Sequence, residues 1–381
     1  MKLVNYCGAL LILLSSQLLT PGWAAPAVSG VTESTILIGQ SVSRSGPTKA
    51  LGEETELGIR LYFDSINAQG GIHGRRLTLV SLDDGNQPGR ARDNTLTLIE
   101  KERVFALLGY VGTDTSVAAL PVFSYHQVPF IGPVTGSDLM RVPLNRYVFN
   151  TRAGFVDEAT RIVEQLTSVG IRNIAVFYQS DAYGLDGVEA VGNALDKLGL
   201  RIVARGSIDR TSSDAQSAVF LIDRAKPEAV ILFCGSKQAV SFIRAMHAQG
   251  STAQFYNTSL VGSTALVQEL GNMSRGLIVS QVTPHPWSAT TTLVREYQRL
   301  LAATGKQPSY GSLEGYITAR TLVEGLRRAG RNLTRESLVA ALENMGNVDL
   351  GGINIKFSPA NHNGSTYVDL TIVGVEGRFL H

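Results

Sequence analysis

An α/β fold of two similar lobes, each with a mainly parallel sheet, is the architecture the sequence predicts. β-like and helix-like runs alternate along the chain, and the alternation falls into two series of similar length. The composition agrees: 44% apolar and 17% charged residues, with 39 glycines in 381 positions, suit a loop-rich α/β chain better than a bundle or a disordered polymer. Repeated βα units imply parallel strands covered by helices on both faces. The length is too great for one typical domain and comfortable for two.

The N-terminus reads as a segment outside the fold. Lys2 supplies a positive start, residues 9–19 are mostly apolar, and small residues follow at Gly22, Ala24, Ala25 and Ala27. This is the pattern of a secretory signal peptide over residues 1–24, with cleavage after Ala27 fitting about as well as cleavage after Ala24. The apolar stretch is short for a membrane anchor, and Cys7 precedes it, which does not suit a lipoprotein. The mature protein is expected to be exported and soluble. Loss of Cys7 leaves Cys234 without a disulfide partner, and its place after Ala229–Phe233 predicts a buried strand-end thiol.

In the first series, Ser34–Gln40 reads as a strand and Ser41–Gly46 as a turn. Ile59, Tyr62, Phe63 and Ile66 recur at helical 3-4-3 spacing and predict one buried face, which Gly70 and Gly71 terminate. Strand Arg76–Ser81, helix Arg92–Glu102, strand Val104–Leu108, a helix to about Tyr125 and strand Pro129–Gly132 follow. The second series runs through helix Glu158–Ser168, strand Asn173–Tyr178, helix Gly187–Leu198 and strand Arg201–Ala204. It continues with a helix from about Ala215, strand Ala229–Phe233, helix Gln238–Ala248 and strand Gln254–Tyr256. The tail carries helices Leu293–Ala302 and Leu313–Ala329 and strand Thr366–Val373.

Between the strand ending at Leu108 and its helix lies Gly109-Tyr110-Val111-Gly112-Thr113-Asp114-Thr115-Ser116. The first amides of a helix have no intrahelical acceptor and the helix dipole adds positive field, so Gly112 and Thr113 stand where an anionic oxygen is stabilised. Hydroxyls there also cap helices without any ligand. Asp83 and Asp84 precede Gly85 and read as turn caps, because neighbouring strand residues face opposite sides. The six histidines show no metal spacing. No Gly-x-Gly-x-x-Gly loop follows the first strand, and no Gly-x-Ser-x-Gly elbow appears, so dinucleotide and hydrolase readings lack their usual warrant. The formal charge of +2 without a basic-aromatic patch gives nucleic-acid binding little support.

From Ile36 onward the chain resembles the type I periplasmic binding proteins that serve branched-chain amino acid ABC transporters. The matching phrases are Ser43-Arg44-Ser45-Gly46-Pro47, Ile66 to Ile72 with Gly74-Arg75, and Asp83-Asp84. They continue with Gly109 to Ser116, Phe130 to Pro133 and Tyr183-Gly184. The resemblance implies two Rossmann-like lobes joined by three crossovers around a central ligand cleft. Lobe 1 would comprise residues 31–147 and 283–352, and lobe 2 residues 148–282 and 353–381. Hinges would fall near Tyr147, Thr283 and Gly352. It implies a small-molecule ligand bearing a carboxylate, a membrane permease as partner, a periplasmic monomer, no cofactor and no catalysis. A ligand sensor for a signalling receptor is the alternative, and a hydrolase the more distant one.

By the same resemblance, Thr113 matches the family's carboxylate-binding hydroxyl, with Gly112 beside it. Val134, Thr135 and Gly136 match the contacts from the next strand end, and Tyr183 the aromatic residue across the cleft. Ser45 lies in the first matching phrase, Phe155 is placed in the cleft wall or the hinge packing, and Gly235 stands near a position the family fills with a ring. Ser259 occupies the position where the family's amino acid binders carry an acid that pairs with the ligand ammonium. A buried ammonium without an ionic partner costs several kcal/mol, so the expectation is a carboxylate ligand whose amino group is not required. Asp114 and Asp181 remain as acids able to act from another direction.

Overall fold

The computed structural model describes residues 28–380, so the signal-peptide reading of residues 1–24 lies outside the described residues. The first lobe opens with β1 (Thr35–Val42), α1 (Lys49–Ala68), β2 (Arg76–Asp83), α2 (Pro88–Leu96), β3 (Ala106–Leu108), α3 (Thr113–Tyr125), β4 (Phe130–Ile131) and β5 (Val148–Phe149). The chain then crosses to α4 (Phe155–Ser168), β6 (Ile174–Gln179), α5 (Ala182–Asp196), β7 (Arg205–Ile208), α6 (Gln216–Arg224), β8 (Ala229–Phe233), α7 (Ser236–Ala248), β9 (Gln254–Asn257), α8 (Ser263–Leu270) and β10 (Ile278–Gln281). It returns as α9 (Thr292–Ala302), α10 (Tyr310–Ala329), α11 (Arg335–Glu343) and the hairpin β11 (Gly346–Asp349)–β12 (Asn354–Phe357). It ends in β13 (Asp369–Val373) and β14 (Phe379–Leu380).

Five parallel strands form the first sheet in the order β2-β1-β3-β4-β5. The parallel part of the second sheet, β7-β6-β8-β9-β10, repeats that order strand for strand. β13 and β14 then add antiparallel strands beyond β10. The mainly parallel two-lobed reading therefore holds, and the tail strands account for the antiparallel edge.

Helix α1 forms as its spacing predicts: Ile59, Tyr62, Phe63 and Ile66 are all buried. They join a core that also takes Leu293 and Tyr297 from α9, Leu313 to Leu326 from α10, and Ile355 and Phe357 from β12. α1 and α10 approach very closely. A Cβ on Gly58 would stand 1.9 Å from the Ser312 carbonyl oxygen, and one on Gly315 2.1 Å from that of Thr55. The opposite face of the sheet is covered by a second cluster containing Leu98, Tyr110, Phe123 and Phe130.

Several boundaries differ from those read in the sequence. The edge strand is β7 at 205–208 and not 201–204, since Val176 pairs with Arg205 and Val203 is an exposed loop residue. Helix α5 starts at Ala182, where the Asp181 carboxylate caps the Gly184 amide. The helix read at 92–102 begins at Pro88 and closes as a π-turn over Thr97–Lys101.

The lobe limits also move. β5 pairs with β4, so the first lobe runs past Tyr147 to Asn150. The assignment of 353–381 to the second lobe is corrected for residues 353–364: Ile353, Ile355 and Phe357 lie in the first core, and Asn150 bridges to Asn363. The chain changes sheet after Gly364, before β13 pairs with β10.

Candidate functional site

In both sheets the strand order reverses beside the first strand of the lobe, between β1 and β3 and between β6 and β8. Open α/β sheets bind ligands beyond the carboxyl ends of strands at such switch points. Here the two switch points face each other. The first lobe supplies Thr48 and Leu51 after β1, Asn86 after β2, and Val111 to Asp114 after β3. The second supplies Gln179, Asp181 and Tyr183 after β6, Arg210 after β7, Gly235 after β8 and Leu260 after β9. The lobes meet tightly: Ala182 N lies 3.4 Å from Asp114 Oδ1, and Asp138 N donates to Asp186 Oδ2 at 2.9 Å. A larger hollow of ≈ 520 Å³ beside Trp287, Val267 and Phe379 is walled by the second lobe and its exit segment alone. The cleft collects the strand ends of both sheets, so it is the candidate site.

The Gly109 to Ser116 phrase builds the first wall. Gly112, at φ +106°, turns the chain into α3, and its amide donates to Val134 O at 3.2 Å. The Thr115 and Ser116 hydroxyls both bond back to backbone oxygens, at 2.7 Å from Val111 O and Gly112 O respectively. Among the described residues, no acceptor bonds the amides of Thr113, Asp114 and Thr115. These three donors at the positive end of α3 form a cradle of the kind that would suit an anion. The Thr113 hydroxyl is held at its edge by Thr135 Oγ1, 2.7 Å away.

Across the cleft, Tyr183 presents a ring packed on Phe155 and Phe233, while its hydroxyl is engaged by Thr258 Oγ1 at 2.8 Å. Burial pushes that phenol well above its ordinary range. Gln179 ties the wall together, accepting from Gly235 N at 2.6 Å and donating to Asp181 Oδ2 at 2.9 Å. The Asp181 carboxyl is raised by burial and then by the facing Asp114. The cleft thus brings together a pair of acids, the Arg210 cation and an amide cradle.

Of the residues expected at the site, Gly112, Thr113, Tyr183 and Gly235 line the cleft. Val134, Thr135, Gly136 and Phe155 stand behind the wall. Val134 and Phe155 belong to the inter-lobe core, and a Cβ on Gly136 would meet the Phe155 ring at 2.5 Å. Ser45 points elsewhere, its hydroxyl donating to Asp83 Oδ2 at 2.6 Å on an exposed loop.

Ser259 also faces away from the cleft. Its amide and hydroxyl bind Glu158 at 2.9 Å each, inside a buried cluster where Arg152 pairs with Glu158 at 3.0 Å and Glu314 at 3.1 Å. Ser259 is thus absent from the cleft lining, whereas Asp114 and Asp181 belong to it.

Asp83 and Asp84 are turn caps. Asp83 Oδ1 accepts from the Arg44, Ser45 and Gly85 amides, and Asp84 from Ser41, Ser43 and Asn86. Burial opposes ionisation of Asp83, but the Ser45 hydroxyl and these amides outweigh it and hold the carboxyl at about 2. Cys234 is buried at the end of β8, and burial pushes its thiol well above the ordinary value. Arg210 was missed because the strand before it was read four residues too early. With β7 ending at Ile208, Arg210 falls two residues past a strand end, at the site.

Comparison with known proteins agrees with this architecture. The family described as periplasmic binding protein matches residues 35–377. A Pseudomonas aeruginosa protein named amino acid binding protein is 25% identical over 334 residues, covering 84% of this chain and 87% of that one. Leu/Ile/Val-binding protein homolog 7 of Brucella abortus is 30% identical over 268 residues, covering 66% of this chain and 63% of its own length. Among solved structures, a possible leucine/isoleucine/valine-binding protein from Rhodopirellula baltica superposes with a TM-score of 0.86 at 30% identity. It covers 94% of this chain and 98% of its own.

Proposed function

The chain belongs to the periplasmic binding protein family, and from that membership we propose that it is the extracytoplasmic solute receptor of an ABC importer. It captures a small carboxylate-bearing molecule, an amino acid or a related organic acid, and hands it to a membrane permease without altering it. The observation that carries the reading is the set of unpartnered amides of Thr113 to Thr115, opening α3 toward a cleft that both lobes line. Hinge closure would shift the population toward the closed form once a ligand adds contacts from the second lobe. The amino acid and Leu/Ile/Val names of the relatives agree with this class. Asp114 and Asp181 offer a cationic group a place between two carboxylates whose mutual repulsion it would relieve.

The test is a thermal-shift screen of the mature protein against amino acids, keto acids, aromatic acids and small amides, followed by calorimetry on the hits. At least one acid should raise the melting temperature. Thr113→Ala should weaken that acid by about ten-fold, the scale of one hydrogen bond to a charged group, and leave the fold intact. Chemical conversion of a bound compound, or stabilisation by none of the acids, would overturn the proposal.

A further inference from the structure

Arg210 is the one cation among the described residues that line the cleft, and the receptor reading leaves it without a role. It belongs to the second lobe, two residues beyond β7, while the amide cradle belongs to the first. Its guanidinium carries five N–H donors. Its guanidinium makes one hydrogen bond, to the neutral backbone oxygen of Asn86 across the cleft. Among the described residues no carboxylate oxygen lies within 4.0 Å of it, and its charge acts on Asp181 and Asp209 only at longer range. The acids of the cleft are engaged at the start of α5: Asp181 accepts from Gly184 N and Gln179 Nε2, and Asp114 Oδ1 faces Ala182 N.

Both ends of the Arg210–Asn86 contact are braced. The Arg210 carbonyl accepts from Gln238 Nε2 at 2.7 Å, and the same nitrogen reaches Ser212 O at 3.1 Å. Asn86 sits in the turn fastened by Asp84, which accepts its amide at 2.8 Å. Its side-chain oxygen lies 3.2 Å from where a Cβ on Gly112 would stand, so Asn86 adjoins the α3 cradle. A guanidinium on a fixed loop of one lobe therefore reaches to the edge of an anion site on the other.

Resting on the receptor reading above, we propose that Arg210 is the specificity residue that clamps the ligand's anionic group from the second lobe. An oxyanion seated on the Thr113–Thr115 amides draws the guanidinium from the Asn86 carbonyl into a charge-assisted bond. Closure is thereby coupled to the ligand's charge, and the primary amide of the same acid, which has no anion to offer, is rejected.

The experiment takes the acid that wild type binds best in the screen, together with its primary amide, and measures both by calorimetry on wild type, Arg210→Met and Arg210→Lys. Small-angle scattering follows the contraction on adding the acid, and circular dichroism checks folding. Wild type should prefer acid to amide. Arg210→Met should lose about ten- to a hundred-fold in acid affinity, the loss expected for a bond to a charged group, keep its amide affinity and contract less. Arg210→Lys should recover part of both losses. Equal acid affinity in wild type and a folded Arg210→Met overturns the clamp and leaves the receptor reading standing. An equal loss for acid and amide also overturns it, since that marks a packing role. Failure of wild type to bind any acid instead overturns the receptor reading itself.

Discussion

At the level of single residues, the most consequential group is Arg152. It is 1% exposed, and it bridges Glu158 of α4 to Glu314 of α10, with Ser259 and Ser280 also on Glu158. One guanidinium serves two buried carboxylates, so the cluster carries an excess acid. Burial raises the Glu314 carboxyl; Arg152 lowers it and Glu158 raises it again. Removing the cation strands both acids in the interior. Arg152→Met should lower stability by about 3–5 kcal/mol, the cost of breaking a buried pair, read as the shift in urea midpoint. Arg44→Met removes the half-exposed partner of Glu56 and should cost about 1 kcal/mol or less. Equal losses in the two variants would show that Arg152 holds nothing beyond what a surface pair holds. The sequence did not disclose this cluster: Arg152 and Glu158 are six residues apart, but Glu314 arrives from a helix far downstream and Ser259 was read toward a ligand. The placement of Thr113 was legible because its setting is local, a strand end followed by a helix start.

Among elements, the α1–α10 contact dominates the first lobe. Gly58 and Gly315 bring the two helices backbone to backbone, and a methyl on either would strike a carbonyl oxygen. Gly58→Ala should destabilise by about 1–3 kcal/mol through overpacking, although alanine favours helix where space allows. Gly89 has open space where its Cβ would go and is the control; there the alanine should be neutral or stabilising in thermal unfolding. A stable Gly58→Ala protein would mean the helices can part at little cost. Elements were legible where one buried stripe repeats, as in α1 or α4, because periodicity is a property of the segment itself. They were displaced where pairing decides. Nothing in residues 201–208 says which four join β6; the register with Val176 does. The hairpin of β11 and β12 went unread because its short polar strands rely on Phe149 and the first core for burial.

On the scale of the whole molecule, the contact between the lobes presses like charges together at two places. Asp138 is raised by burial and by Asp186, with Glu189 and Asp157 adding to the rise and Arg141 opposing it. Asp181 is raised by burial and Asp114, with Arg210 opposing. A carboxyl whose affinity for protons is higher when the lobes are together favours that state as pH falls, and withdraws that support as pH rises past its raised value. The ligand-free protein should therefore become more compact in scattering between neutral and mildly acidic pH. Asp138→Asn should flatten that dependence, and an unchanged slope would remove Asp138 from the closure equilibrium.

The interleaved path has a further consequence, for the time course of folding. Helix α10, against which α1 packs, comes after all of α4 to β10 in the chain, and the second sheet waits for β13 to close beside β10. Neither lobe is complete in a nascent chain until its final stretch has emerged, and such distant contacts form slowly because the intervening loop must first be closed. A polypeptide with this connectivity cannot finish either core until late in its synthesis.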